Sequence, residues 1–456
     1  MKLNHYAADI ATVLGARLIG ENVLLQGHLS TDSRAIEAGD VFVALRGERF
    51  DGHDYLFDVQ AAKAALLVVS NPSIDQAVPQ IVVEDTLHAY GVLAGLLREQ
   101  FTGTVFGITG SSGKTSCKEM LVSVLEACGR VHATRANFNN EVGVPLTLST
   151  IDEGDEFAVV EMGAGKPNDI AYLVDFAKPN IALVTNVGEA HLALFDSVEH
   201  IAATKKQIYS ATPALKAAVV NGDDAITLPW IDELKSQGLR VVSFGMRAGN
   251  DVYAKDVVST IDGSTFTLCT PSGDMPAELH VAGLHMVMNA CAVASMALLA
   301  GIELADIAKG LAKYQPVKGR LAKMTLAGMT LIDDSYNANP RSMRAAIDTL
   351  SLANGRRVLV AGDMAELGGD SEYLHRMVGC YAQNKVDCWF STGSMMRYAA
   401  QGFGEQAIHC ADMTELNATL CQRLMAGDTV LIKGSRSSGM ERVMSALEQF
   451  YTEGAA

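Results

Sequence analysis

Apolar and polar residues change rhythm along this chain, and the changes predict three successive units of strands flanked by helices. A short helical pattern over residues 7–14 precedes four strand-sized apolar segments, in "LLQGHLSTDSR", "GDVFVAL", "AALLVVS" and "PQIVVED". Short apolar runs between short helices read as a small α/β unit. Near Asp85 the pattern lengthens. "LHAYGVLAGLLREQF" predicts a helix, "TVFGIT" a buried strand, and "KTSCKEMLVSVLEACG" a helix after a glycine turn. In that last segment Cys117, Met120, Leu121, Val124 and Leu125 fall on one helical face, and Gly129 ends it. "EFAVVEMG", "IALVTNVG" and "KAAVVNGDD" add strands, residues 241–273 are β-rich, and the helix "HMVMNACAVASMALLA" stops at Gly301. From Tyr314 onward "MTLIDDSYN", "RVLVAGDM", "CWFSTG" and "TVLIKGS" are continuous apolar runs that end in glycine or polar residues. Such runs predict a parallel sheet covered on both faces. The expected units are 1–84, 85–313 and 314–456, all α/β. Ligands of such sheets gather at the strands' carboxyl ends, which here hold Asp334, Ser335, Asp363, Lys433 and Ser435.

Composition narrows the classes. A chain of 456 residues exceeds one ordinary domain. With 49% hydrophobic and 19% charged residues it reads as globular. A net charge of -16 argues against a sequence-independent grip on nucleic acid, so no nucleic-acid partner is expected. An anionic substrate would have to be held by local basic groups and backbone amides. The eight cysteines are scattered and none forms a C-x2-C pair, which fits a reducing cytoplasm. The start "MKLNHYAADIATVLG" lacks the apolar run of a signal peptide, and no stretch reaches the roughly 18 apolar residues of a membrane span. A cytoplasmic location is expected.

The stretch "GITGSSGKTS" departs by one residue from the phosphate-loop pattern G-x-x-x-x-G-K-[ST], because Ile108 stands where the first glycine is usual. Its setting, strand then glycine turn then helix, is the one a phosphate loop needs. Backbone N–H groups of such a turn bind phosphate oxygens. Lys114 adds a positive charge and Thr115 a hydroxyl for Mg2+. Glu161 ends the strand in "VVEMG", either as an acidic Mg2+ ligand or as a solvated loop carboxylate. Asn186 and His191 end the next strand in "LVTNVGEAHL". A lone histidine there is usually structural; beside Glu161 and Thr115 it becomes a candidate metal ligand. In "EHIAATKKQIY" the residues alone do not choose between Lys205 and Lys206. Asn289 sits on a mostly apolar helix, satisfied either by backbone or by an adenine ring.

Taken together, "TGSSGKTS", "NFNNEVGVP", "EMGAG", "TNVGEAHL", "AATKKQIY", "NGDD", "GLHMVMNACA", "VKGR", "DDSYNANP", "GDMAELG" and "LIKGSRS" resemble the Mur ligase family, along the whole chain. These are ATP-dependent enzymes that add amino acids to a UDP-linked muropeptide. Family members carry the shorter loop G-[ST]-x-G-K-[ST], which Gly110, Gly113, Lys114 and Thr115 match. "STDSR", "GDVFVALRGERFDGHDY" and the last three motifs resemble the branch that joins D-alanyl-D-alanine to a UDP-MurNAc-tripeptide.

The resemblance implies a UDP-binding first domain, a central P-loop ATPase-like parallel sheet and a C-terminal Rossmann-like domain that closes on the nucleotide and holds D-Ala-D-Ala. UDP would meet Ser30, Thr31, Asp32, Ser33 and Arg34, and Arg46, Gly47, Phe50 and His53 of the 46–53 segment, for which a simple polar turn is the lesser reading by composition. ATP would meet Thr109, Gly110, Ser111, Ser112, Gly113, Lys114, Thr115, Ser116, Asn140, Asn221, Asn289, Arg320 and Asp334. Mg2+ would be held by Thr115, Glu161, His191 and Lys205. In the family the lysine in a K-x-x-[IL]-[YF] setting is carbamylated by CO2, and Lys205 has that spacing to Ile208 and Tyr209, whereas Lys206 does not. Lys114, Lys205, His191 and Arg320 are the implied catalytic set, with Ser335, Asn337 and Asn339 on the acceptor side. One departure stands out: Met286 follows His285 where the family usually has asparagine, so that position is not carried over. A monomer is expected. Two other readings are a sister ligase adding a single amino acid, the folylpolyglutamate type included, and a non-catalytic nucleotide-binding interaction protein.

Overall fold

The computed structural model describes residues 1–453 except 76, 189–193, 196 and 212. Its strands form three large sheets, one after another along the chain, each covered by helices. The first has five strands in the order Arg17–Ile19, Gln80–Val82, Leu66–Val69, Val41–Val43, Leu29–Ser30. All its pairs are parallel except the first. Parallel pairing of Leu29–Ser30 with Val41–Val43 brings residues 30–34 and the segment after Leu45 to one edge.

The central sheet has nine strands. Its parallel part runs Val131–Ala133, Phe157–Glu161, Thr104–Thr109, Ile181–Val184, Ala217–Asn221, Arg240–Gly245. Val252–Thr260 continues it, and an antiparallel meander, Gly263–Thr270 and Gly273–Leu279, completes it. The expected β-rich stretch is thus part of one sheet. Thr104–Thr109 lies between two strands that follow it in sequence, so its carboxyl end opens at a crevice where connections diverge. Cys117, Met120, Leu121, Val124 and Leu125 are all fully buried in the core beneath the following helix, Lys114–Leu125. The third sheet has six strands, with Ala322–Leu326 an antiparallel edge on five parallel neighbours. Its central strands are apolar on both faces because helices cover both, as the continuous hydrophobic runs require. All eight cysteines are free; Cys117, Cys269, Cys291 and Cys410 are buried, while Cys128 and Cys380 are exposed. Among the described residues no helix is long and apolar enough to cross a membrane.

Candidate active site

A cleft of about 690 Å³ opens where carboxyl ends of the central sheet face those of the third. Register explains its centre. Glu161 pairs with Ile108 and Val184 with Thr109, so the strand ends carrying Glu161 and Asn186 flank the loop 110–115. The loop needs its glycines. Gly110 has φ 151°, and a Cβ there would stand 1.9 Å from Thr185 Oγ1. Gly113 has φ 81° at the N-terminus of the helix Lys114–Leu125, left-handed backbone that side chains disfavour.

Asn186 holds the loop's shape. Its Oδ1 accepts from both Ser112 N and Ser112 Oγ at 3.1 Å, and its Nδ2 donates to Ser112 O at 3.0 Å. Ser111 N donates to Asn186 O at 3.0 Å, and Thr185 Oγ1 to Ser112 O at 2.6 Å. Lys114 Nζ folds back on Gly110 O at 2.8 Å. Burial lowers the Lys114 pKa, Arg320 adds to that, and Glu161 opposes it.

Two hard oxygens meet below the loop. Thr115 Oγ1 donates to Glu161 Oε2 at 2.7 Å, and Asn139 Nδ2 to Glu161 Oε1 at 2.8 Å. Glu161 is buried at the end of its strand and is not a solvated loop carboxylate. Lys205 and Lys206 end the helix Val198–Lys206 and point different ways, since successive helical residues are about 100° apart. Lys205 is 3% exposed, and its side-chain amine has no hydrogen-bond or ion-pair partner among the described residues. Burial pushes its pKa well below the ordinary lysine value, and the Lys114 charge adds to this. Lys206 instead pairs with Glu233 and stands 5.7 Å from the Trp230 ring centroid. His191 lies outside the described residues.

The third sheet supplies the opposite wall. Asp334 and Lys433 are directly paired in register and 2.6 Å apart. Burial raises the Asp334 pKa against the pull of Lys433. Arg320 sits on the connection between the helix Leu304–Lys313 and the strand Ala322–Leu326, its guanidinium 4.2 Å from the Tyr336 ring centroid. Asn337 and Asn339 also line the cleft; Asn339 caps the helix Pro340–Leu350 through Ser342 N. From the central unit Ser111 to Ser116, Asn140 and Asn289 line it. Asn289 is buried, and its one side-chain hydrogen bond among the described residues is a long one, 3.7 Å, from Nδ2 to Met286 Sδ. Met286 therefore lines the cleft as a weak acceptor rather than as an amide.

Three expected contacts face elsewhere. Thr109 Oγ1 donates to Met162 O at 2.8 Å, and Ser335 Oγ to Asp333 Oδ1 at 2.5 Å. Asn221 Nδ2 donates to Thr185 O at 3.1 Å while its Oδ1 accepts from Asp223 N at 3.0 Å. These side chains are buried against backbone and neighbouring side chains and do not line the cleft. Conversely, Asn139, Tyr336 and Lys433 line it without having been singled out as ligands. Lys433 and Asn186 carried a signal, a polar residue ending an apolar strand. Asn139 and Tyr336 carried none outside their motifs.

The first sheet's edge presents a separate polar surface. Asp32 pairs with exposed Arg34 at 2.8 Å, which lowers the Asp32 pKa to about 2. Ser30 Oγ accepts from Asp32 N, and Ser33 and Arg34 continue as a short turn after Thr31 and Asp32. Asp51 ties the neighbouring segment. It accepts from Arg46 Nε at 2.8 Å and from His53 N at 2.9 Å, and its Oδ1 lies 2.6 Å from His53 Nδ1. Gly47 N donates to Phe50 O, and Phe50 is 57% exposed.

A glycine loop at a helix N-terminus, a buried carboxylate beside its threonine, and cations from two facing sheets define an ATP-using α/β enzyme, and the chain belongs to the Mur ligase family. Three domain families match it: the Mur ligase middle domain over 108–297, the Mur ligase glutamate ligase domain over 319–436, and the Mur ligase family catalytic domain over 27–95. A relative from Escherichia coli strain K12, a UDP-N-acetylmuramoyl-tripeptide--D-alanyl-D-alanine ligase, is 40% identical over 97% of this chain and 98% of its own. The crystal structure of MurF from Acinetobacter baumannii superposes with a TM-score of 0.89 at 34% identity, covering 98% of this chain and 99% of that one. MurF from Thermotoga maritima, solved in complex with ADP, gives 0.85 at 28% identity, covering 94% and 99%.

Proposed function

We propose that this protein is an ATP-dependent ligase joining D-alanyl-D-alanine to a UDP-N-acetylmuramoyl-tripeptide, a step of peptidoglycan synthesis. The observation that carries it is the cleft itself. A phosphate loop, a hard-oxygen pair and a cationic wall from a second sheet converge there, in a chain related over nearly its whole length to ligases of that name. In this reading residues 1–84 hold the UDP end, 85–313 the nucleotide and metal, and 314–456 the dipeptide.

The tripeptide's terminal carboxylate attacks the γ-phosphorus of ATP and ADP leaves, giving an acyl phosphate. The dipeptide amine then attacks the acyl carbon, the amide forms, phosphate leaves and the amine gives up a proton. Lys114, the loop amides and Arg320 offset charge on the transferring phosphoryl group, which is mainly electrostatic catalysis. Thr115 and Glu161 offer the oxygen donors that suit Mg2+, and the 2.7 Å between their oxygens places both beside one position. His191, outside the described residues, is kept as a further ligand in this reading, and other oxygens would complete the set. Phosphate and a carbamate on Lys205 would provide them; its buried amine, with no acidic partner among the described residues, supports that assignment. The metal, when bound, neutralises phosphate charge. Closure of the two facing sheets would keep water from the acyl phosphate.

The test is phosphate release from ATP with the UDP-tripeptide and D-Ala-D-Ala offered singly and together. Release only with both supports ligation. Nucleotide binding without release would point to an interaction protein, and release with a single amino acid to a sister ligase.

A further inference from the structure

Arg320 is placed in a way its role alone does not explain. It projects from the connection between the central and third units into the cleft, near enough to Lys114 to lower that amine's pKa. A guanidinium carries five N–H donors, and here none is spent: among the described residues Arg320 makes no side-chain hydrogen bond and no ion pair. Asp334 is close enough to feel its charge, yet Asp334 is bound to Lys433 at 2.6 Å instead. What faces the guanidinium is the Tyr336 ring, 4.2 Å from centroid to Cζ. Arg436 approaches the same ring at 6.0 Å, but is itself mostly exposed and shared with Glu441. The backbone beneath is fixed independently. Gly319 N donates to Asp333 Oδ2 at 3.0 Å, and Tyr336 N to Gly319 O at 3.1 Å.

We propose that Tyr336 is a positioning residue for Arg320: its ring face holds the guanidinium over the cleft while leaving every N–H free for phosphate oxygens. This rests on the ligase reading above. A hydrogen-bonding partner would fix the side chain equally well but would consume donors, and a carboxylate partner would also offset its charge. A ring face attracts the cation through its quadrupole and spends neither. Without the ring, the mobile guanidinium can swing to Asp334, compete with Lys433 and be lost to the phosphates. The ring is needed and the hydroxyl is not, because the Tyr336 hydroxyl has no partner among the described residues.

The experiment is steady-state ligation with varied ATP and saturating UDP-tripeptide and dipeptide. It compares wild type, Tyr336→Phe, Tyr336→Leu, Arg320→Ala and the double variant Arg320→Ala with Tyr336→Leu. Tyr336→Leu should lower kcat/KM for ATP about tenfold, the scale of one partly desolvated cation–π contact. Tyr336→Phe should stay within about twofold of wild type, since it retains the ring face. In the Arg320→Ala background, Tyr336→Leu should cost nothing more, because a residue acting only through Arg320 has nothing left to position. A full tenfold loss in that background overturns the proposal, as does a Phe variant as impaired as Leu, or a Leu variant equal to wild type. If Tyr336→Leu does not fold, Tyr336→Met, flexible and unringed, takes its place with the same expected numbers. Wild type that performs no ligation would instead refute the ligase reading.

Discussion

Asn186 is the residue whose loss should say most about the loop. Asn186→Ala removes the acceptor of Ser112 N and Ser112 Oγ, both at 3.1 Å, and the donor to Ser112 O at 3.0 Å. Ser112 O keeps Thr185 Oγ1 at 2.6 Å, so the carbonyl is not orphaned. The amide and hydroxyl are; each neutral hydrogen bond contributes about 1 kcal/mol net. Ser112 is only half-buried at the cleft, so water replaces part of the loss. About 2 kcal/mol of loop order should disappear, a rise of roughly 30-fold in the Kd for ADP. The loop belongs to one of several units in this chain, so a global melting temperature is a poor reading of it. Calorimetric titration with ADP is the assay, and near-UV dichroism checks that the core is unchanged. Asn186→Asp should bind more weakly still, because it keeps an acceptor but turns an anion toward Ser112 O and the phosphates. Wild-type ADP affinity in Asn186→Ala would refute the idea that this side chain shapes the loop.

Lys114→Ala should fold normally and lose about 3 to 5 kcal/mol of transition-state stabilisation; ligation near the wild-type rate would remove Lys114 from the phosphate site. Lys205→Ala should be nearly inactive and partly rescued by acetate or formate at constant ionic strength, whereas Lys206→Ala, which breaks an exposed pair with Glu233, should keep most activity and lose at most about 1 kcal/mol of stability. The opposite pattern would overturn the carbamate assignment. His285 tests the cleft's electrostatics: burial, aided by Lys433 and opposed by Asp348, lowers its pKa from 6.5 to about 4. The unfolded chain therefore binds this proton below about 6.5 and the folded one only near 4. Folded stability should fall across that window as pH drops, by at most about 3 kcal/mol, with no further contribution below it. Denaturant midpoints measured from pH 7.5 to 4 should flatten in His285→Gln; identical slopes in the two proteins would contradict a partly buried ring held neutral.

The layers were legible where a single period dominates. The face Cys117, Met120, Leu121, Val124, Leu125 repeats at helical spacing, and it is buried as a unit. The short apolar runs of the third unit, each closed by glycine or polar residues, read as strands covered on both faces, and they are. The site was legible only in part, because strand ends name residues but not directions. Thr109 and Asn221 both end strands, yet their side chains turn inward to Met162 O and Thr185 O. Lys205 and Lys206 are adjacent, and only the path of the helix decides which amine is buried and which meets Glu233. Asn186 shapes the loop because Ile181–Val184 pairs with Thr104–Thr109, a contact between segments far apart in sequence. The Tyr336 ring meets Arg320 for the same reason, through the fold of the connection rather than through any local pattern.

The most direct test is the mass of the product and of the phosphate, formed from ATP, D-Ala-D-Ala and a UDP-MurNAc-tripeptide labelled with 18O in its terminal carboxylate. The account predicts one ligated product, heavier by one dipeptide minus water, with one labelled oxygen transferred to inorganic phosphate. A ligated product with unlabelled phosphate would contradict the acyl-phosphate route. No ligated product, or one carrying a single amino acid offered in place of the dipeptide, would contradict the assignment itself.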